Sequence, residues 1–110
     1  MNIQSHEENG YSIVEFDGDV DLSCSPEVRK YLLHCLAEKQ NLLVDLSKVS
    51  YIDSSGVACL VEGYQTAKNK KLKFGLIGVS EAAMSVLHLA RLDKVFPIHA
   101  SVAACLQKDG

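Results

Sequence analysis

Two spacings of hydrophobic residues alternate along the chain. Short apolar or alternating runs, which are typical of β-strands, lie at residues 11–16, 41–46, 73–77 and 95–98. Residues 3–6 are predicted to pair with 11–16 as a hairpin across Asn9-Gly10. Between these runs, apolar residues recur every three or four positions, which predicts amphipathic helices. Their stripes are Val28/Tyr31/Leu32/Cys35/Leu36, Val57/Leu60/Val61/Tyr64 and Ala83/Val86/Leu87/Ala90.

Turn and capping residues predict where these elements begin and end. Asp17-Gly18 is expected to end the second strand, and Ser25-Pro26 to start the first helix with a capping hydroxyl followed by proline. The apolar pair Tyr51-Ile52 leads directly into the second helix. A small C-terminal helix is expected from a cap at Ser101 through Leu106. Because Pro97 cannot donate a backbone hydrogen bond, its strand is placed at a sheet edge.

The predicted order of elements is β-β-α-β-α-β-α-β-α. Strands that alternate with amphipathic helices imply parallel pairs joined by crossovers, here after an initial antiparallel hairpin. The fold class is therefore α/β, a single domain over residues 1–110, with a small mixed sheet of about four to five strands and helices packed against it. In such sheets, functional surfaces lie where the carboxyl ends of strands meet helix N-termini.

Composition excludes several classes of function. The apolar fraction of 47% and charged fraction of 23% are those of a soluble globular protein. A net charge of −3 argues against binding to nucleic acid or to an anionic membrane. Without a secretory signal or an apolar run long enough to span a bilayer, the protein is expected in the cytoplasm. Its four cysteines lack metal-ligand spacing, so no metal site or disulfide is predicted; three are expected in the core, with Cys24 in a polar loop.

The motif D-S-S-G at residues 53–56 is the strongest candidate for a site. It stands at the predicted start of the second helix, where Asp and Ser side chains commonly cap free backbone N–H groups. A nucleophile elbow, a phosphate-binding glycine loop and a histidine near either serine are all absent from the sequence pattern. No enzyme activity and no cofactor are therefore predicted, and two interpretations stay open: a helix cap, or a serine that accepts phosphate from a kinase.

Phosphorylation at this position has a physical rationale. The helix dipole and the free N–H groups would stabilise an exposed phosphate by roughly 0.3–1 kcal/mol. The phosphate adds about −1.5 to −2 charges at neutral pH. The added negative charges lie beside Asp53. They also lie close to Asp17, Asp19 and Asp21 if that acidic loop folds next to the motif. A partner docked here against its own acids would be repelled.

Three segments carry a resemblance to a known family. They are L-V-D-L-S-K-V-S-Y-I-D-S-S-G-V, F-D-G-D-V-D-L and L-A-R-L-D-K-V-F-P-I, and together they resemble the STAS domain of bacterial anti-sigma-factor antagonists. The resemblance implies that Ser54 is phosphorylated by a partner that is both an anti-sigma factor and a serine kinase. The unphosphorylated protein would bind that partner and free the sigma factor. A PP2C-type serine phosphatase would then restore it, in signal transduction such as a stress response, and the free protein would be a monomer.

The same resemblance assigns the candidate site. Partner-binding residues are expected to be Asp21, Asp53, Ser54, Ser55, Gly56 and Val57, with Ser54 as phosphoacceptor and Ser55 as a cap or first-turn residue. Asp21 and Asp53 suit turn and cap roles equally well. The side chains of Val57 and Leu60 belong either to the core stripe or to an exposed partner patch.

The sequence departs from the family pattern at two positions and leaves a second function open. Ala58 stands where many antagonists have a second glycine, and Arg91 where a glycine often ends the third helix. The alternative function is a STAS subunit of a phospholipid-trafficking ABC transporter, which supports the ATPase without a phosphorylation cycle. Alanine at position 58 favours that alternative, whereas serine at position 54 favours the antagonist.

Overall fold

The computed structural model describes the backbone of residues 2–109 and the side chains of residues 2–107. Its elements are β1 (Asn2–Glu8), β2 (Tyr11–Val20), α1 (Ser25–Ala37), β3 (Asn41–Ile52), α2 (Ser54–Asn69), β4 (Phe74–Ile77), α3 (Glu81–Leu89), β5 (Ile98–His99) and α4 (Val102–Asp109). The strands form one sheet in the order β1-β2-β3-β4-β5. The first pair is antiparallel and the other three are parallel. The predicted element order and mixed sheet are confirmed.

The first two strands form the expected hairpin. Asn9 and Gly10 have φ values of 52° and 85°. Two successive positive φ angles are what a tight two-residue hairpin turn requires, and Asn-Gly adopts them readily. Glu8 then pairs with Tyr11 at the end of the ladder.

Alternating side chains of the strands enter two separate cores, because successive residues of a strand point to opposite faces of the sheet. On one face, residues such as Phe16, Val44 and Leu76 pack with α1, α2 and α3. The other face has a smaller cluster of Tyr11, Ile13, Leu43, Ile77 and Cys105, which only α4 covers among the described helices. One face of the sheet is thus covered by three helices and the other by one short helix.

The hydrophobic stripes of the helices pack as predicted. Val28, Leu32 and Leu36 of α1 have no exposed area. Leu60 of α2 and Leu87 of α3 are likewise in the main core. Burying each such side chain contributes about 1.5–3 kcal/mol, so these stripes hold the three helices against the sheet.

Two strands are longer than predicted. β2 does not stop at Asp17-Gly18 but continues to Val20, and β3 runs unbroken from Asn41 to Ile52. Register shifts between Glu15 and Asp17 and between Gly18 and Asp19 absorb the irregular residues. With φ at 117°, Gly18 still pairs with Val49. The pairing therefore survives a sequence that is typical of a turn.

Two further boundaries differ from the prediction, and one agrees with it. Ser25 is not the cap of α1, because the N-cap is Cys24 and Ser25 is a buried first-turn residue. β5 covers only Ile98–His99, since the residues before Pro97 form a turn in which the N–H groups of Val95 and Phe96 donate to the Leu92 carbonyl. Ser101 caps α4 as predicted, with its hydroxyl accepting from the Ala104 N–H at 3.2 Å.

Candidate functional site

The two loops that carry the predicted site residues lie side by side. Val20 and Ile52, the last residues of β2 and β3, are paired in register. The Asp53 N–H donates to the Val20 carbonyl at 3.2 Å, which extends the pairing by one step. The loop at residues 21–24 and the motif at residues 53–56 therefore leave the same end of the sheet, at the carboxyl ends of two parallel strands.

Asp53 is the N-cap of α2. Its Oδ1 accepts hydrogen bonds from the N–H groups of Ser55 at 2.9 Å and Gly56 at 3.2 Å, and from the Ser55 hydroxyl at 2.5 Å. The Ser55 hydroxyl is the main cause that lowers the pKa of Asp53. The N–H groups of Gly56, Ser55 and Leu22 also lower it, while desolvation opposes them. The carboxylate is therefore charged at neutral pH.

The two serines of the motif have different environments. Ser55 is half-buried, and its hydroxyl points at Asp53. Ser54 is the first residue of α2 and is exposed. Within the described residues its side chain makes no hydrogen bond or ion pair. Of the two hydroxyls, the one on Ser54 is therefore the accessible one.

Gly56 fixes the position of this helix start. A Cβ atom at residue 56 would lie 2.7 Å from Val20 Cγ1, 2.8 Å from Ile52 Cγ1 and 2.8 Å from the Val20 carbonyl oxygen. Only glycine lets the first turn of α2 approach the ends of β2 and β3 so closely. Gly56 therefore has a packing role in the structure, and its partner-binding role stays a prediction.

Asp21 organises the neighbouring loop. Its Oδ1 accepts from the Ser23 N–H at 3.0 Å and from the Ser23 hydroxyl at 2.5 Å. Its carbonyl accepts from the N–H groups of Cys24 at 3.1 Å and Ser25 at 2.8 Å, which leads into α1. The loop stays beside Asp53 because the Asp53 N–H donates to the carbonyl of Val20, the residue just before Asp21. Asp21 is therefore a turn-forming residue at the border of the site.

Comparison with known proteins identifies the family. The family model of the STAS domain matches residues 2–105. The chain belongs to the STAS domain family. It is 26% identical over 82 residues to an anti-sigma-B factor antagonist of Listeria monocytogenes, covering 74% of this chain and 72% of that protein.

Two solved structures have the same fold. An anti-sigma factor antagonist from Mycobacterium paratuberculosis aligns with a TM-score of 0.84 at 26% identity, covering 97% of this chain and 92% of that one. A putative anti-sigma factor antagonist from Thermotoga maritima aligns with a TM-score of 0.88 at 18% identity, covering 96% and 92%. The second likeness concerns the fold alone.

The structure adds exposed apolar residues that the sequence analysis missed. Leu22 is 73% exposed and Tyr51 is 51% exposed, and both adjoin the two loops of the STAS domain's candidate site. Large apolar side chains at such exposure are typical of contact surfaces when they flank a polar site. The sequence did contain a signal for Leu22, because a leucine in the acidic run D-G-D-V-D-L indicates an apolar side chain in an exposed polar loop.

Val57 and Leu60 are in the core rather than on the surface. Val57 is 8% exposed and Leu60 is 1% exposed. Of the two alternatives that the sequence left open, the structure therefore shows the core stripe, and the exposed partner patch is excluded for these two side chains. The partner-binding role expected for Val57 stays a prediction. Ala58 is exposed between them. It borders a groove between α1 and α2, where Arg29 and Glu62 form an ion pair at 2.7 Å.

The acidic face beside the motif carries no evident metal site. Asp17, Asp19 and Asp21 line a shallow depression together with Cys24. Over the residues that the structure describes, no three His, Cys, Asp or Glu side chains converge as metal ligands. Cys24 is half-buried, and its thiol points at the Asp19 carbonyl at 3.3 Å. No helix in residues 2–109 has the length and apolar character needed to cross a membrane.

Proposed function

We propose that this STAS domain is an anti-sigma-factor antagonist whose binding to its partner is switched off by phosphorylation of Ser54. The observation that carries the proposal is the exposed Ser54 hydroxyl beside a neighbouring serine that is engaged with Asp53. The names of the relatives support the general role, because they are antagonists of anti-sigma factors. They do not favour the transporter alternative. The protein would act in the cytoplasm as a monomer, through binding rather than catalysis.

The proposed partner is an anti-sigma factor that is also a serine kinase. The Ser54 oxygen bonds to the γ-phosphorus of ATP, the bond from that phosphorus to the bridging oxygen breaks, and ADP leaves. The hydroxyl proton passes to a base of the kinase. Asp53 is not assigned that role, because its Oδ1 already accepts a hydrogen bond from the Ser55 hydroxyl. A PP2C-type phosphatase reverses the step when water attacks the phosphorus and releases inorganic phosphate. This chain supplies only the acceptor and its position.

The switch is electrostatic. Leu22 and Tyr51 provide apolar surface that a partner would cover beside Ser54. A phosphate on Ser54 adds about −1.5 to −2 charges next to ionised Asp53. Burying that charge in the interface without a cationic group of the partner is costly. The phosphate also repels acidic side chains of the partner across the interface. The same face that binds in the unphosphorylated state is therefore unfavourable after phosphorylation.

The test uses a purified anti-sigma factor kinase from the source organism, with wild type, Ser54→Ala, Ser54→Asp and Ser55→Ala as substrates and ligands. Mass spectrometry of the reaction with ATP is expected to place the phosphate on Ser54 in wild type and in Ser55→Ala. Titration calorimetry is expected to give tight binding for wild type and Ser54→Ala, with loss for Ser54→Asp. Phosphate on Ser55, or equal affinity of the Ser54 variants, would contradict the proposal. In a separate affinity capture from cell lysate with the same four proteins, a transporter ATPase held equally by all four would support the alternative.

A further inference from the structure

A second candidate site lies at the opposite end of the sheet. A cleft of about 300 Å³ opens beside the amino-terminal ends of β3 and β4 and the C-terminal end of α2. Leu43 near the start of β3 lines it, and Leu43 is ten positions before Asp53, which follows the other end of the strand. At about 3.3 Å per residue, the cleft is about 30 Å from Ser54. It is thus separate from the site described above.

The cleft opens at the end of the sheet, where the side chains of its two faces meet. Leu43 and Cys105 belong to the cluster under α4, Phe74 belongs to the main core, and Gly75 of β4 presents no side chain between them. A Cβ atom on residue 75 would lie 3.1 Å from Leu43 Cδ2, 3.3 Å from the Pro97 carbonyl oxygen and 3.7 Å from His99 Cδ2. A larger side chain would push these groups into the cleft. Glycine therefore keeps this part of the cleft open.

The lining of the cleft is aromatic and apolar. Tyr64 and Phe74 meet edge to face with ring centroids 6.1 Å apart, and both line it. Leu72 lies beside them. Phe74 is only 5% exposed, so a ligand would contact the half-buried Tyr64 and Leu72, and an aromatic ring on Tyr64 gains beyond the area it buries. The lining therefore suits a flat, apolar body.

The described residues that line the cleft carry charge of one sign. Lys68 and Lys73 are among them, and none of those described lining residues is Asp or Glu. This is unusual for a chain with 14 acidic and 11 basic residues. Lys68 is exposed, and within residues 2–107 its ammonium has no ion-pair partner. An anionic group on the ligand would complement this rim.

We propose that this cleft binds a small aromatic carboxylate, with the ring against Tyr64 and Leu72 and the carboxylate at Lys68. The volume is at the lower end of the range of about 300–1,000 Å³ for ligand pockets, which fits one or two fused rings. The inference is independent of phosphorylation at Ser54.

The test is a titration of the full-length chain with 2-naphthoate, followed by amide chemical shifts in ¹H–¹⁵N NMR spectra. Saturable shifts are expected at Leu72 and Gly75, with the amides of residues 53–56 unchanged. The neutral isostere 2-naphthamide tests the need for charge. Lys68→Gln is expected to weaken naphthoate binding about threefold to fivefold, as for loss of an exposed charge pair. Lys68→Arg and the control Lys70→Gln, two residues further along and outside the cleft, are expected to bind like wild type.

Several results would overturn the proposal. Shifts that do not saturate, or that centre on residues 53–56, would mean that the cleft is not a binding site. Equal affinity for naphthoate and naphthamide would remove the anionic preference. An unchanged affinity in Lys68→Gln, or an equal loss in Lys70→Gln, would exclude the specific role of Lys68. Because Lys68 is exposed, none of these outcomes can be attributed to misfolding of the variant.

Discussion

Gly56→Ala tests whether close packing at the start of α2 stabilises the domain. The new methyl group would lie 2.7–2.8 Å from Val20 Cγ1, Ile52 Cγ1 and the Val20 carbonyl oxygen. Favourable contacts between carbon atoms lie at about 3.5–4.0 Å, so the helix start or the strand ends must move by about 1 Å. Rotation of side chains cannot relieve the clash with the backbone carbonyl. Overpacking of this kind costs about 1–3 kcal/mol.

Helix propensity opposes this cost. Alanine is favoured over glycine by about 1 kcal/mol within a helix. With three close contacts, we take the upper part of the overpacking range and expect a net loss of about 2 kcal/mol. For a domain of this size, that lowers Tm by about 8–16 °C. Circular dichroism during urea and thermal unfolding gives both values.

Gly63→Ala is the matched control, since Gly63 is in the same helix. The three nearest atoms that a Cβ there would meet outside its own helix backbone belong to side chains, the closest being Phe74 Cε2 at 3.0 Å. A ring can shift by a few tenths of an ångström, so propensity offsets most of the cost and stability is expected to change by less than about 1 kcal/mol. If Gly56→Ala were as stable as wild type, or more stable than Gly63→Ala, the packing argument for the helix start would be refuted.

Further predictions concern the cap, the core and the surface. Asp53→Ala is expected to lower the midpoint of urea unfolding at pH 7, because α2 loses its N-cap. Since the pKa of Asp53 is lowered in the folded state, its contribution is complete above the unfolded pKa of about 3.9 and is lost as pH falls through the folded value. The stability difference between wild type and Asp53→Ala should therefore shrink between pH 6 and pH 2. Leu32→Ala should cost about 2–5 kcal/mol in the same assay, since Leu32 has no exposed area. Arg29→Ala should lower the urea midpoint only slightly, and less in high salt, because its ion pair with Glu62 is exposed.

The order of elements was predictable because each change of hydrophobic spacing corresponds to a buried face. Val28, Leu32 and Leu36 recur with the helical period and are all fully buried. Strand ends were less predictable. Asp17-Gly18 is a turn signal locally, but pairing with β3 continues through it by means of a bulge. Tertiary pairing overrides local propensity there, and no residue in the pair itself indicates that outcome.

The candidate site was predictable in position but not in detail. D-S-S-G after an apolar strand places Asp53 at a helix start, and its hydrogen bonds agree with a cap. The spacing could not distinguish which serine is exposed, since that depends on which hydroxyl reaches the Asp53 carboxylate. It also could not decide between core and surface for Val57. That outcome depends on how closely Gly56 lets α2 approach β2 and β3.

The capping geometry also determines how phosphate would act on Ser54. The sequence alone predicts that the free N–H groups of the helix start stabilise the phosphate. The structure assigns two of these groups, on Ser55 and Gly56, to Asp53, and the Val57 N–H donates to the Asp53 carbonyl at 3.0 Å. A phosphate on Ser54 would have to displace a charged carboxylate to reach them. It would therefore stay on the surface beside that carboxylate, and the two negative charges would act on a docked partner rather than on the helix. Comparison of unfolding in urea for wild type and Ser54→Asp checks this argument. Similar stabilities are expected, whereas a large difference would mean that charge at Ser54 reorganises the cap.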